Sequence, residues 1–358
     1  MSDTRITRRN LAIRTGAIAL TGLLPTWPRA QEDVPVVYYA REATPEAFIA
    51  IFDKLREDLG AAGRRGLVGL KLHGDEVDKN RALWKALQEH VPGSRYVECN
   101  WASGYTSGRG TTEGNFDAIV ARGIPREQID ILDRKEEYRA VPAKEGRWLK
   151  SVDVPEALFT DYGLVAVTVN FNVPTFSGYS AAVKNVGIGL AGAPGKAAVH
   201  GPGFPKDAGF HRRLAEAADA IERALAGKLL FLNVLANLDV EPLEGAAVRK
   251  GTIGIVGSLD MAAADNASLD LIYGIPVERR SAYPESVKLE RGFLQLENLA
   301  ALGHAGRYRA RGAFACEVTK ARSEAPAHRV GVFVRPKCKN PGQSRDCPGS
   351  ESGGRSGI

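Results

Sequence analysis

Two kinds of apolar spacing alternate along the chain. Short unbroken runs are too brief for helices, and longer stretches repeat an apolar residue every three or four positions. Val34 to Ala40 (VPVVYYA) is a β-branched and aromatic run, and Pro45 to Leu59 follows with helical spacing and proline at its first position. Leu67 to Leu72 reads as a buried strand, Asn80 to Val91 as an amphipathic helix stopped by Pro92-Gly93, and Tyr96 to Cys99 as a third strand. A glycine-rich loop, Asn100 to Thr112, leads to a helix over 115–122 and a strand over 129–132. A hairpin is expected over 138–154, with a helical turn over 155–159. Leu164 to Phe171 (LVAVTVNF) is the strongest buried-strand signal, and a helix over 208–225, strands over 229–235 and 252–257 and a helix over 261–273 follow it. Strand and helix alternating in this way predict an α/β fold, a mostly parallel or mixed sheet covered by helices on both faces.

The ends differ from the body. Thr7-Arg8-Arg9-Asn10-Leu11 and the apolar run Gly16 to Leu24, closed by Pro28-Arg29-Ala30, have the twin-arginine export pattern, which predicts a signal peptide over 1–30 and a periplasmic protein. The apolar run is about half of the roughly 20 residues a membrane span requires, so no stable span is expected. Residues 31–309 read as one α/β domain. Residues 310–358 read as a basic, partly disordered tail, because Gly, Ser, Pro and Arg dominate its end and little can be buried. The net charge of +6 comes from these ends: residues 1–30 carry +4, 310–358 carry +5, and the body carries −3. Basicity therefore implies no nucleic-acid partner, and no nucleic-acid motif is present. Cys99 lies in the body, and Cys316, Cys338 and Cys347 lie in the tail, where Cys338 and Cys347 can pair across a short loop without sequence fixing the connectivity.

Candidate chemistry concentrates in Ser177 to His200, SGYSAAVKNVGIGLAGAPGKAAVH. Lys184-Asn185 sits between small residues, and Gly195-Lys196 repeats the combination. Exposed backbone N–H groups beside an ammonium suit a phosphate or carboxylate. Close helix packing, with glycines serving clearance, explains the same composition. Lys71-Leu72-His73-Gly74-Asp75-Glu76 ends a strand with an imidazole and two carboxylates, and with His200 it can form an acid/base pair, a metal site or a solvated turn. Asp260 is placed to cap the helix that starts at Met261. Asp265, inside the apolar run MAAADNASLDLI, needs a partner such as Lys184 or a metal.

Taken in order, His73-Gly74-Asp75-Glu76, the 177–200 stretch, Leu232-Asn233-Val234 and the run Ile253 to Ile272 resemble the landmarks of the domain of unknown function 362 family. The resemblance covers roughly residues 34–309. It implies a body associated with iron–sulfur chemistry, often through a ferredoxin-like insert directly after the position of His200, and a redox-related activity. The chain departs from that pattern. No cysteine follows His200, Glu241-Pro242-Leu243 stands where a Cys-x-Cys pair is usual, Asn172-Val173-Pro174 replaces Lys-Gly-His, and Met261 replaces proline. Thiolates are the ligands such a cluster needs, so none is expected here. The polar set carried over assigns His73, Glu76 and His200 to acid/base or metal-ligand roles. It assigns Lys71, Lys184, Asn185, Lys196, Asp260 and Asp265 to binding or positioning a small anionic ligand. A non-catalytic periplasmic binding protein and a vestigial structural paralogue are the competing expectations.

Overall fold

The structure, a computed structural model, describes residues 34–61, 66–102, 108–243, 248–304 and 306–312. The signal peptide read over 1–30, the tail beyond residue 312 and its three cysteines lie outside these residues. The order is β1 (Val36–Ala40), α1 (Pro45–Asp58), β2 (Leu67–Lys71), α2 (Arg81–His90), β3 (Arg95–Glu98), α3 (Thr112–Val120) and β4 (Ile129–Ile131). Next come the hairpin β5 (Tyr138–Pro142) and β6 (Ser151–Pro155), α4 (Ala157–Thr160) and β7 (Tyr162–Asn170). Three helices follow, α5 (Ala182–Gly187), α6 (Ala193–His200) and α7 (Ala208–Ala224), and then β8 (Leu229–Leu235), β9 (Gly254–Ser258) and α8 (Met261–Tyr273). The described chain ends with α9 (Val277–Ser281), α10 (Glu285–Glu290), α11 (Leu294–Ala301) and β10 (Arg309–Gly312). No helix among the described residues is long and apolar enough to cross a membrane.

The protein is an α/β fold built on a mixed eight-stranded sheet in the order β10-β1-β9-β8-β7-β2-β3-β4. All pairings in it are parallel except those of β9, which runs against both β8 and β1. Alternation along each strand divides the core. Leu164, Ala166, Leu230, Leu232 and Val234 face Phe48, Phe52, Leu83 and Trp84 of α1 and α2 on one side. Val165, Val167, Leu229 and Phe231 face Val183, Leu214, Ala218 and Leu269 of α5, α7 and α8 on the other. Helices thus cover both faces, and the long apolar run that predicted β7 lies at the sheet's centre, where a strand must be buried on both sides. The first three residues assigned to the tail, Ala310 to Gly312, belong to β10, which pairs with β1 and extends the sheet.

Strands β2 and β7 are neighbours whose following helices pass to opposite faces, α2 to one and α5 to α7 to the other. A crevice opens beyond the carboxyl ends of such strands. Here those ends are Lys71 and Asn170.

Candidate functional site

The crevice holds a cavity of about 180 Å³. His73 and Glu98, at the ends of β2 and β3, form one side of it. Lys184, Asn185 and Gly189 of the α5 segment and Lys196 and His200 of α6 form the other. Trp101, Phe176 and Ile188 supply apolar wall. The structure therefore brings His73, Lys184, Asn185, Lys196 and His200 together. Lys71 lies directly beneath, fully buried, its Nζ donating to Glu98 Oε2 at 2.8 Å while Gly189 clears its stem. A Cβ at Gly189 would come within 2.8 Å of Lys71 Cε.

Charge in this region is predominantly positive. Glu98 is fully buried, which pushes its carboxyl up, but the charges of Lys71, then Arg109 and Lys196, outweigh burial and hold it down at about 2. Arg109 Nη2 is 3.3 Å from Glu98 Oε1, and Arg109 Nη1 donates to Asp75 Oδ2 at 3.0 Å. Lys196 Nζ donates to the Ala191 carbonyl at 2.7 Å. Lys184 differs from both other lysines. Its half-buried ammonium has no hydrogen-bond or ion-pair partner among the described residues. Burial lowers its pKa to about 8, with attraction from Glu76 working against that and repulsion from Lys71 adding to it.

Both histidines of the cavity are neutral near pH 7. His73 Nδ1 accepts from the Asp75 N–H at 3.3 Å, so the proton sits on Nε2, and burial holds its pKa well below the ordinary value. His200 is stacked on Phe210 at 5.2 Å and meets the Phe176 edge at 5.2 Å. Burial, then the charges of Lys184, Lys196 and Arg213, take it down to about 4. Arg213 donates to the Val199 and His200 carbonyls and so closes the end of α6.

Three expected positions fall elsewhere. Glu76 does not line the cavity; it accepts from Asn172 Nδ2 at 2.8 Å and lies 3.6 Å from Lys79 Nζ. Burial raises its carboxyl pKa, and its charge reaches Lys184 through space. Asp260 caps α8, accepting from the Ala263 N–H at 2.7 Å, but at the opposite rim, because the reversal of β9 carries Ser258 to the end where β8 begins. Asp265 is fully buried and does not meet Lys184. It accepts from the N–H groups of Ala182 and Val183, from Asn233 Nδ2 and from Tyr179 Oη, at 2.8 to 3.2 Å. Its partners are thus the first turn of α5 rather than the lysine two residues on. The start of α6 is closed in the same way, Asp133 Oδ2 accepting from the Ala193 N–H at 3.0 Å.

The expected glycine cradle of free N–H groups is not formed, since the protein's own carboxylates take the helix starts. The glycines serve clearance: a Cβ at Gly187 would meet Leu214 Cδ1 at 2.7 Å, and one at Gly192 or Gly195 would strike Tyr138 or the Asp153 carbonyl. Sequence reasoning also passed over Glu98 and Trp101. The signal for Glu98 was a lone carboxylate ending an apolar strand just before a glycine-rich loop.

Among the described residues no three His, Cys, Asp or Glu side chains gather as a metal would require. Cys99, the one cysteine there, is fully buried and its thiol pKa is pushed up by burial, so these residues do not fit an iron–sulfur cluster. A wider depression of about 420 Å³ elsewhere includes Trp148, Arg212 and Glu216. Its groups satisfy one another: Glu216 accepts from the Trp148 and Leu149 N–H groups, and Arg212 lies over the Trp148 ring at 4.6 Å.

No family model matches the chain, and no curated protein matches it. Among solved structures, similarity is found to a protein from Thermotoga maritima at 16% identity and a TM-score of 0.34, covering 62% of this chain and 56% of that one. It is also found to lactate racemase apoprotein from Thermoanaerobacterium thermosaccharolyticum at 12% identity and a TM-score of 0.38, covering 63% and 54%. The chain spans little more than half the length of either, and likeness at this level carries no argument about the cavity.

Proposed function

We propose that this is an exported, periplasmic protein, similar to the domain of unknown function 362 family, that binds a small carboxylate- or phosphate-bearing molecule between β2 and β7. One observation carries the reading: the Lys184 ammonium has no partner among the described residues, beside a cavity whose other cations are already engaged. An anion entering there gains a charge-assisted hydrogen bond without breaking one. Lys196 faces the same space and adds a second positive charge. His73 presents Nε2–H as a neutral donor, which suits a hydrogen bond to a bound oxyanion better than metal ligation does. Glu76 and His200 act at one remove, Glu76 through its charge on Lys184 and His200 by packing the aromatic wall.

Titration of the purified chain with inorganic phosphate, pyrophosphate or malonate, followed by thermal unfolding, tests this. Stabilisation by at least one anion, reduced about ten-fold in affinity in Lys184→Met, is expected for the loss of a charge-assisted contact. No stabilisation by any of them sinks the reading.

A further inference from the structure

Three lysines approach the cavity, and only one has its nitrogen uncommitted. Lys71 Nζ is held by Glu98 and Lys196 Nζ by the Ala191 carbonyl, whereas Lys184 Nζ meets no acceptor among the described residues. An unpaired amine on an enclosed wall does what a paired ammonium cannot: as the free base it adds to a carbonyl carbon. Resting on the anion-binding reading above, we propose that Lys184 forms an imine with a small oxo acid whose carboxylate is held by Lys196.

The geometry supplies the parts. The cavity has room for an acid of roughly three to five carbons, judged against the volume a water molecule occupies. Lys196 provides a fixed cation for the carboxylate, and Lys184 enters the same space from the preceding helix. His73 lines it from the β2 side, with Nδ1 already accepting from the Asp75 N–H. Trp101 and Phe176 supply apolar wall, and burial with Lys71 nearby favours the neutral amine.

The step balances without an oxidant or reductant. The Nζ lone pair adds to the carbonyl carbon as the carbonyl π bond breaks onto oxygen, His73 Nε2–H donates a hydrogen bond to that oxygen, and one proton passes from the nitrogen to the oxygen through solvent water, giving a neutral carbinolamine. The nitrogen lone pair then expels the hydroxyl, which takes up the nitrogen's second proton through solvent and departs as water, leaving a neutral carbon–nitrogen double bond. One water is released for each imine formed.

Incubating the full-length protein with pyruvate or glyoxylate and cyanoborohydride, then mapping peptides by mass, tests the inference. The expected result is one reduced adduct, on Lys184, at least about ten-fold above any other lysine, because a lowered pKa leaves more free base at neutral pH. Lys184→Arg keeps the charge but should give no adduct at that position. Labelling spread over other lysines without preference for Lys184, or none at all, overturns it, and mapping the unaltered protein decides this even if the variant fails to fold. Stabilisation by phosphate or malonate with no adduct removes the imine and leaves anion binding standing; loss of both removes both.

Discussion

The two rims of the sheet each bury a group of charges, and they resolve it differently. At the rim opposite the cavity, Asp219, Glu222 and Asp260 surround His304: His304 Nε2 is 3.1 Å from Asp219 and Nδ1 is 3.6 Å from Glu222. Arg223 pairs with Asp219 at 2.8 Å, and Glu222 accepts from the Met261 N–H. Opposite charges interleave there and the group closes on itself. At the cavity rim, Lys71 pairs with Glu98, Arg109 with Glu98 and Asp75, and Lys196 with a carbonyl, and Lys184 has no partner among the described residues. Burial of charge is common to both rims and marks neither as a site. An unmatched charge beside empty space is what separates them, since its desolvation is offset only when something else arrives.

The sharpest break of this comparison comes from two aspartates. Asp265→Ala removes four hydrogen bonds and leaves two buried N–H groups and the Asn233 amide without their acceptor, which should cost about 3 kcal/mol or more in urea unfolding. It should also abolish stabilisation by anions, because α5 carries Lys184. Asp260→Ala removes one helix cap at the other rim, about 1 kcal/mol, and should leave anion binding intact. Equal effects of the two on binding would mean that the rims are not independent.

The pH dependence of the far rim gives a smaller effect. Burial disfavours the His304 charge, but the Asp219 hydrogen bond and the charges of Glu222 and Asp260 outweigh it and raise the imidazole above 6.5. A raised folded-state pKa means stability that is fully present below the unfolded value and lost as pH rises through the folded one. His304→Gln should therefore cost about 1 to 2 kcal/mol near pH 6 and progressively less above it, measured by urea unfolding across pH. Glu222, raised to about 7 by burial and by Asp260, has the same sign and loses its contribution between 4.5 and about 7. A cost that grows with pH would contradict this arrangement.

How much of this could be read in the chain follows from what is local. The apolar run of β7, proline opening α1 and Asp260 as a helix cap are set by neighbours a few positions away, and each appears where the pattern puts it. The direction of β9 is not local. Nothing in GIVGS distinguishes a strand running with the sheet from one running against it, so Asp260 was expected at the wrong rim. The partners of Asp265 were equally hidden, because two backbone N–H groups some eighty positions earlier carry no side-chain signature. Glycine density in 177–200 was legible, but its use was not: clearance for Leu214, Lys71 and Tyr138 depends on segments that meet only after folding.

The smallest stability effect belongs to the residue expected to matter most for binding. If Lys184 were the counter-ion of Asp265, deleting it would cost about 1 to 3 kcal/mol by leaving a buried charge alone. With Asp265 satisfied by α5 and Lys184 unpartnered, the sign reverses. The folded-state pKa of about 8 lies below the ordinary 10.5, so between those values the unfolded chain binds the extra proton and stability rises with pH. Below about 8 the folded protein bears the full cost of keeping the charge in the cavity wall. Lys184→Met should thus be neutral or stabilising by up to about 1 kcal/mol at pH 7, a figure reduced for the solvent that screens a half-buried ammonium. The difference should fade between pH 8 and 10.5. A substitution that leaves the fold as stable as before and yet removes anion stabilisation is what an uncommitted charge predicts and a structural one does not, and urea unfolding of the two proteins with and without malonate reads both at once.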